Sequence, residues 1–419
     1  MLAFALGLLF YAMIEYRSET SSYGDALKGV KLQSALNALY YYESAVHTHR
    51  SSNWRPQLLC LVKILPNNTL SHSEILNLAH QLKKGGGLCI VSAIIEGDVK
   101  KKYPKAKKEK IALRNKMKEK GIIGFAQVVI SRSYREGVQH LIQSTGLGGL
   151  QPNTVVTGFP KKDANSARNF VDLIMLAEIF KKAVIISKGD FNVECNTGYI
   201  DLYWIIYEGG LELLISNILH KHKAWKDTAF RIFTVVDDQD IMDEVKENIM
   251  DILYHLRIEA ECHVIYLEHQ DVTPFEFKTK SESTKPKKKE SLFRDVRSLS
   301  MQALNEFVNN DRDPIEISIE NEMQSHPTQD DTEHEEPTST RRESTVSNAA
   351  EEYNRTSHRI NKLIREHLND SQLVIINLPS PSSHLSHIEY VECLEILTNG
   401  IERLLLIRGS GKEVITHLL

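Results

Sequence analysis

The sequence predicts an α/β fold of two lobes, each a mostly parallel sheet with flanking helices, led in by a truncated transmembrane helix. Three observations carry this. Short, continuously apolar runs alternate with helix-period segments along most of the chain. One long stretch, residues 271–351, breaks the alternation and divides the second set of elements. The first fourteen residues, Met1 to Ile14, are apolar and carry no charge.

That apolar start amounts to about 21 Å of helix, short of a bilayer core of ~30 Å. Tyr11 and Tyr16 suit a membrane interface, and Arg17 comes directly after. A secretory signal needs positive charge before the apolar run, and none precedes it. Residues 1–17 are therefore expected to be part of a transmembrane helix, weighed against a short buried helix. Arg17, Lys28 and Lys31 put the remainder of the chain on the cytoplasmic side. Residues 18–53 should form a juxtamembrane segment, with Leu27, Val30, Leu32, Ala35, Leu36 and Leu39 at helical spacing over 24–42.

The first lobe is expected over 54–190. Its strands are Leu58–Leu65, Leu88–Ile95, Phe125–Ile130, Thr154–Thr157 and Ala183–Ser187. Its helices are Glu74–Leu82, Lys107–Lys120, Arg135–Gln143 and Ala167–Lys181. Continuous apolar strands between helices imply a sheet covered on both faces. The second lobe spans 191–270 and 352–419. It has strands Leu202–Tyr207, Arg231–Val236, His263–Leu267, Leu373–Asn377 and Arg403–Ile407, and helices Leu211–His222, Met242–Arg257, Arg359–His367 and Ile388–Leu397. Residues 271–351 are poor in large apolar side chains and rich in Lys, Ser, Thr and acids, so a disordered regulatory insert is expected.

Composition excludes several functions. A formal net charge of -4 gives no case for nucleic-acid binding. Cys60, Cys89, Cys195, Cys262 and Cys393 form no C-x-x-C pair and read as free thiols in a reducing compartment, not zinc ligands. His47 and His49, like His220 and His222, lack clustered carboxylates. There is no Walker lysine, G-x-G-x-x-G or G-x-S-x-G, so neither enzyme activity nor nucleotide hydrolysis is expected. The local exception in charge is the basic run Lys100 to Lys120. Such a helix near a membrane could bind anionic lipid, although a solvated charged face explains it as well.

Several segments, in order and spread over nearly the whole chain except the insert, carry a family resemblance. They include Asn53-Trp54-Arg55-Pro56-Gln57, His140-Leu141-Ile142-Gln143-Ser144 with Gly146-Leu147-Gly148-Gly149, and Arg231-Ile232-Phe233-Thr234-Val235. Leu253-Tyr254-His255-Leu256-Arg257-Ile258-Glu259-Ala260 and Arg408-Gly409-Ser410-Gly411 belong with them. Together they resemble the C-terminal domain of cation–chloride cotransporters, in particular the potassium–chloride branch. The resemblance implies a two-lobed domain similar to universal stress proteins. It implies the regulatory and dimerising part of an electroneutral symporter of the plasma membrane, serving chloride homeostasis and cell volume. Partners would be a second cotransporter chain, Ser/Thr kinases, phosphatases and the membrane, with potassium and chloride handled only by the transmembrane part. A soluble adenine-nucleotide sensor of universal-stress type is the rival.

The resemblance also carries residues. Leu61, Lys63, Ser71, His72, Ile94, Gly158, Phe159 and Lys161 match the family's adenine-nucleotide contacts, with Phe159 where the family has Trp. ATP or ADP would be a regulatory ligand there, not a required cofactor. Lys63 and Lys161 would neutralise phosphate, and Gly158 would let backbone approach. The bland alternative is ordinary strand-end residues with solvated lysines. Thr356, in Arg355-Thr356-Ser357, matches a kinase-controlled threonine, weighed against a plain helix cap. Thr279 resembles a second such site, and Ser344 in Arg341-Arg342-Glu343-Ser344 fits a basophilic kinase pattern. The loop Lys161-Lys162-Asp163 is shorter than the family's, and His417-Leu418-Leu419 departs from its usual ending.

Overall fold

The structure, a computed structural model, describes residues 2–20, 27–48, 55–65, 69–83, 86–192, 197–205, 210–236, 239–267, 340–382 and 384–410. Two compact units emerge: Met1–Ser51 with Gly146–Gln151, and Ser52–Thr145 with Pro152–Leu419.

The smaller unit holds helices α1 (Leu2–Thr20) and α2 (Leu27–Thr48) and the turn at 146–151. Within α1 the described side chains of Phe4, Leu6, Leu8, Leu9, Phe10, Tyr11 and Ile14 are exposed. Among the described residues no helix is long and apolar enough to cross a membrane. The turn closes through paired bonds, Leu147 N to Leu150 O at 3.1 Å and Leu150 N to Leu147 O at 3.0 Å.

The larger unit is built on one ten-stranded sheet. Its first half comprises β1 (Leu58–Leu61), β4 (Cys89–Glu96), β5 (Phe125–Ser131), β6 (Thr154–Gly158) and β7 (Ala183–Lys188). A small hairpin, β2 (Lys63–Ile64) with β3 (Leu70–Ser71), lies beyond β1. The second half comprises β8 (Tyr199–Trp204), β9 (Ala229–Val236), β10 (Glu261–Tyr266), β11 (Ser371–Asn377) and β12 (Leu404–Arg408). Spatial order is β7-β6-β1-β4-β5 in one half and β12-β11-β8-β9-β10 in the other. The two halves therefore share one strand permutation. Pairing is parallel inside each half and antiparallel where β7 meets β12, with Ile186 opposite Leu406.

The two expected lobes are thus two halves of a continuous sheet. The joining strands explain this. Val184, Ile185, Ile186, Leu404, Leu405, Leu406 and Ile407 are all buried, so both edges are apolar on both faces and close only by pairing with each other.

The crossovers place α3 (Glu74–Leu82), α4 (Val99–Glu119), α7 (Leu211–His220) and α8 (Met242–Leu256) on one face, where their buried residues share one apolar cluster. On the other lie α5 (Tyr134–Ser144), α6 (Ala164–Ile179), α9 (Thr340–Glu366) and α10 (His387–Leu397). Across the joint, α3 packs on α7 and α6 on α10. One apolar cluster on the first face runs through both halves, from Leu76 and Leu113 to Trp225 and Ile249.

Local chemistry sets the helix ends. Asp98, Ser133 and Asp163 cap α4, α5 and α6 through side-chain bonds to Lys101 N, Glu136 N and Ser166 N. Ser386 and Glu389 form a capping box on α10. Three expectations change. The strand expected over 58–65 splits at Val62, whose N–H still bonds Ser92 O at 2.9 Å before the chain turns into the hairpin. Helix α4 starts at Val99, eight residues before the expected Lys107, because the Asp98 cap outweighs Pro104 near its start. Helix α9 starts at Thr340, so residues 340–351 of the expected disordered insert are helical. Arg, Glu and Ala have the intrinsic propensity to extend the helix there.

Candidate functional site

In a sheet of this order the strand permutation reverses at β1, which lies between β4 and β6. Ligands of open α/β sheets bind beyond the carboxyl ends of the strands at such a point. The register places named residues there. Leu61 pairs with Ser92, and Cys60 pairs with both Val91 and Val156. Ile94 on β4 and Gly158 on β6 therefore lie two residues further along, beside the hairpin that holds Lys63 opposite Ser71.

His72 turns the chain out of the hairpin in a left-handed conformation, φ 61°. Its Nδ1 lies 2.9 Å from Glu74 Oε1, in the first turn of α3. The imidazole sits directly over Gly158, where any Cβ would overlap its ring atoms. Glycine is thus required by packing. Ile94 points to the opposite face, where its methyl fills the space a side chain at Gly137 would need. Leu61 is buried and Lys63 exposed.

Phe159, next after Gly158, is buried, with Lys188 Nζ 4.7 Å from its ring centroid. Its ring is engaged by that cation, not open for stacking on a purine. Lys188 donates to Thr398 Oγ1 at 2.6 Å and to Thr398 O at 3.3 Å, so it ties β7 to the end of α10. Burial and the neighbouring Lys162 lower its pKa. Lys161 is exposed, while Lys162 pairs with Glu395 of α10. The structure thus brings Lys63, Ser71, His72 and Gly158 to one strand-end edge, points Ile94 to the opposite face, and turns Phe159 toward the seam between the halves.

The second half has an equivalent strand-end position at β8 and β11. Asn377 closes it. Its Oδ1 accepts from Ile205 N at 3.0 Å and its Nδ2 donates to the buried Glu212 Oε1 at 2.9 Å.

Thr356 lies in the middle of α9, not at a cap, and is buried together with Ser357, Ile360, Asn361, Leu363 and Ile364. Helix α9 packs on α10. Asn361 Nδ2 donates to Leu397 O at 2.8 Å and to Asn399 O at 2.9 Å, and Cys393 Sγ lies 3.2 Å from Asn354 Oδ1. Arg355 is exposed one residue away. Ser344 falls on the first turns of the same helix, and Thr279 lies outside the described residues. Sequence reasoning missed Asn361 and Lys188. The one signal for Asn361 was a polar residue inside an apolar helical stripe. Cys60, Cys89, Cys262 and Cys393 are buried free thiols, and Cys195 lies outside the described residues.

The fold and this strand-end edge define a doubly wound α/β domain with internal two-fold repetition. A family model, Solute carrier family 12, matches residues 72–186 and 161–418. The chain belongs to that family, the cation–chloride cotransporters. Among solved structures, the chain is similar to the cytoplasmic domain of a prokaryotic cation chloride cotransporter, with 12% identity over 86% of this chain and 98% of that one, TM-score 0.44. It is similar to a universal stress protein from Archaeoglobus fulgidus, with 12% identity over 87% and 99%, TM-score 0.44. A protein of unknown function from Pseudomonas aeruginosa gives 9% identity over 84% and 93%, TM-score 0.38.

Proposed function

We propose that the folded part of this chain is the cytosolic regulatory and dimerisation domain of an electroneutral potassium–chloride symporter of the plasma membrane, switched by phosphorylation of Thr356. Family membership supports the transporter. The observation that carries the switch is the burial of Thr356 within α9. A phosphate adds up to about two negative charges at neutral pH. Burying a dianion among Ser357, Ile360 and Leu363, with Arg355 exposed, is costly, so in this reading the modified helix separates from the elements it packs on. Arg355, exposed next door, then pairs the phosphate in solvent and holds the opened state. A kinase reaches Thr356 only when α9 opens, and a phosphatase lets it close. In this reading the ion path belongs to membrane-spanning segments of the carrier. The domain sets its activity, phosphorylation inhibits, and the domain pairs with a second cotransporter chain.

The test is flux. Thr356→Ala, in this domain joined to an intact transmembrane part, should raise rubidium or thallium uptake. Unchanged uptake, with phosphate demonstrated on the parent threonine, overturns the switch.

A specific observation favours a second role for the same domain. Lys63 and Ser71 pair across the hairpin at the strand-end edge, with His72 packed over Gly158 beside them, and open α/β sheets take regulatory ligands such as an adenine nucleotide at such an edge. Calorimetric titration of ADP and ATP into the full chain should give heat that Lys63→Ala weakens. No heat with either nucleotide removes this role.

A further inference from the structure

We infer that α4 and the start of β5 form a docking surface for the anionic lipid headgroups of a bilayer. The inference is independent of phosphorylation and of nucleotide.

Helix α4 carries nine lysines and one arginine against two glutamates in 21 residues. The structure decides which of these face out. Ala106, Leu113 and Met117 are buried against the sheet, so the helix is anchored by a narrow apolar seam. Lys100, Tyr103, Lys107, Ile111, Arg114 and Lys118 recur every three or four residues and are all exposed, which makes one continuous stripe. Among the described residues no carboxylate pairs with Lys100, Lys107, Arg114 or Lys118, whereas Lys105 is paired with Glu109. The charge is thus held without internal compensation.

Apolar side chains accompany it. Tyr103 and Ile111 are exposed within the stripe. Just past the helix, Ile123 and Phe125 are 78% and 65% exposed, at the head of the edge strand β5. Basic residues interleaved with exposed aliphatic and aromatic ones are what an interfacial helix presents to a membrane. The preponderance of Lys over Arg favours a diffuse anionic surface over bidentate phosphate readout. Aliphatic Ile111 and Ile123 gain from an acyl boundary and have nothing to stack on a base. Membership in a solute carrier family supplies the bilayer.

The test is cosedimentation of the full chain with phosphatidylcholine vesicles that contain or lack phosphatidylserine. The ratio of the two partition coefficients is read, so that charge-independent affinity from exposed apolar side chains such as those of α1 cancels. Each basic residue near such a surface contributes roughly fivefold. Joint Lys100→Glu, Lys107→Glu, Arg114→Glu and Lys118→Glu should therefore lower the ratio at least about 100-fold. High salt should remove the wild-type preference. Lys107→Gln with Lys118→Gln is a milder pair that should lower the ratio in part, and circular dichroism checks the fold of both. Equal ratios in wild type and the charge variants overturn the inference. So does a wild type indifferent to phosphatidylserine. So does tighter binding, at equal salt, to an RNA homopolymer or to polyglutamate than to the anionic vesicles.

Discussion

The indole N–H of Trp225 donates to Gln81 Oε1 at 3.0 Å, and Gln81 Nε2 donates onward to Phe191 O at 3.1 Å. Gln81 belongs to α3 in the first half and Trp225 comes after α7 in the second. Both are buried, so this polar chain locks the two halves on the face where α3 meets α7. Gln81→Leu leaves the indole N–H unpaired and should cost about 1–3 kcal/mol. Trp225→Ala should cost about 3–5 kcal/mol. Urea melts read by circular dichroism check both. A second transition in the Trp225→Ala melt would mean that the halves unfold separately once the lock is gone.

Asn361 holds α9 to the end of α10 by two bonds to carbonyls. Asn361→Ala should destabilise that contact by about 1–3 kcal/mol. Hydrogen exchange should rise along α9 well before the core strands, and phosphorylation of Thr356 by a kinase should become faster. Slow exchange in α9 of the variant would show that the helix is held by its apolar stripe alone.

Arg231 grips the fully buried Asp201 through two bonds, Nε to Oδ1 at 2.7 Å and Nη2 to Oδ2 at 2.8 Å. Burial raises the Asp201 pKa, and Arg231 opposes that shift. A carboxyl raised in the folded state contributes its stability below the unfolded value, and loses it as pH rises through the folded value. Without the guanidinium the folded value climbs further. Arg231→Ala should cost about 3 kcal/mol at neutral pH. The deficit should shrink on acidification toward the ordinary Asp value of about 3.9. Stability against pH for both proteins checks it, and a deficit constant with pH would contradict it.

Asp163 caps α6, and its bond to the Ser166 hydroxyl is the main reason its pKa is lowered. A depressed carboxyl contributes stability above its unfolded value and loses it as pH falls through the folded one. Asp163→Asn should therefore flatten part of the acid limb of the stability profile while leaving a neutral cap in place. Superimposable acid limbs would refute this.

Gly158→Ala forces the His72 ring off its seat, because the new methyl overlaps it. The variant should lose stability, and His72→Gly in the same chain should restore most of it. Failure of the second change to rescue the first would place the strain elsewhere in β6.

The sequence by itself determined the alternation of strands and helices, since buried strands are continuously apolar and the packed helices repeat at 3.6 residues. It determined the family through short ordered motifs. The carboxyl ends of β1, β4 and β6 were legible as a candidate edge for the same reason. Tertiary structure alone decided that β7 and β12 fuse the halves into one sheet, because no local pattern says which apolar edge pairs with which. It alone decided that Thr356 is buried and that Phe159 lies under Lys188. Burial and cross-strand neighbours depend on residues far apart in the chain, and periodicity carries information only about the element in which it occurs.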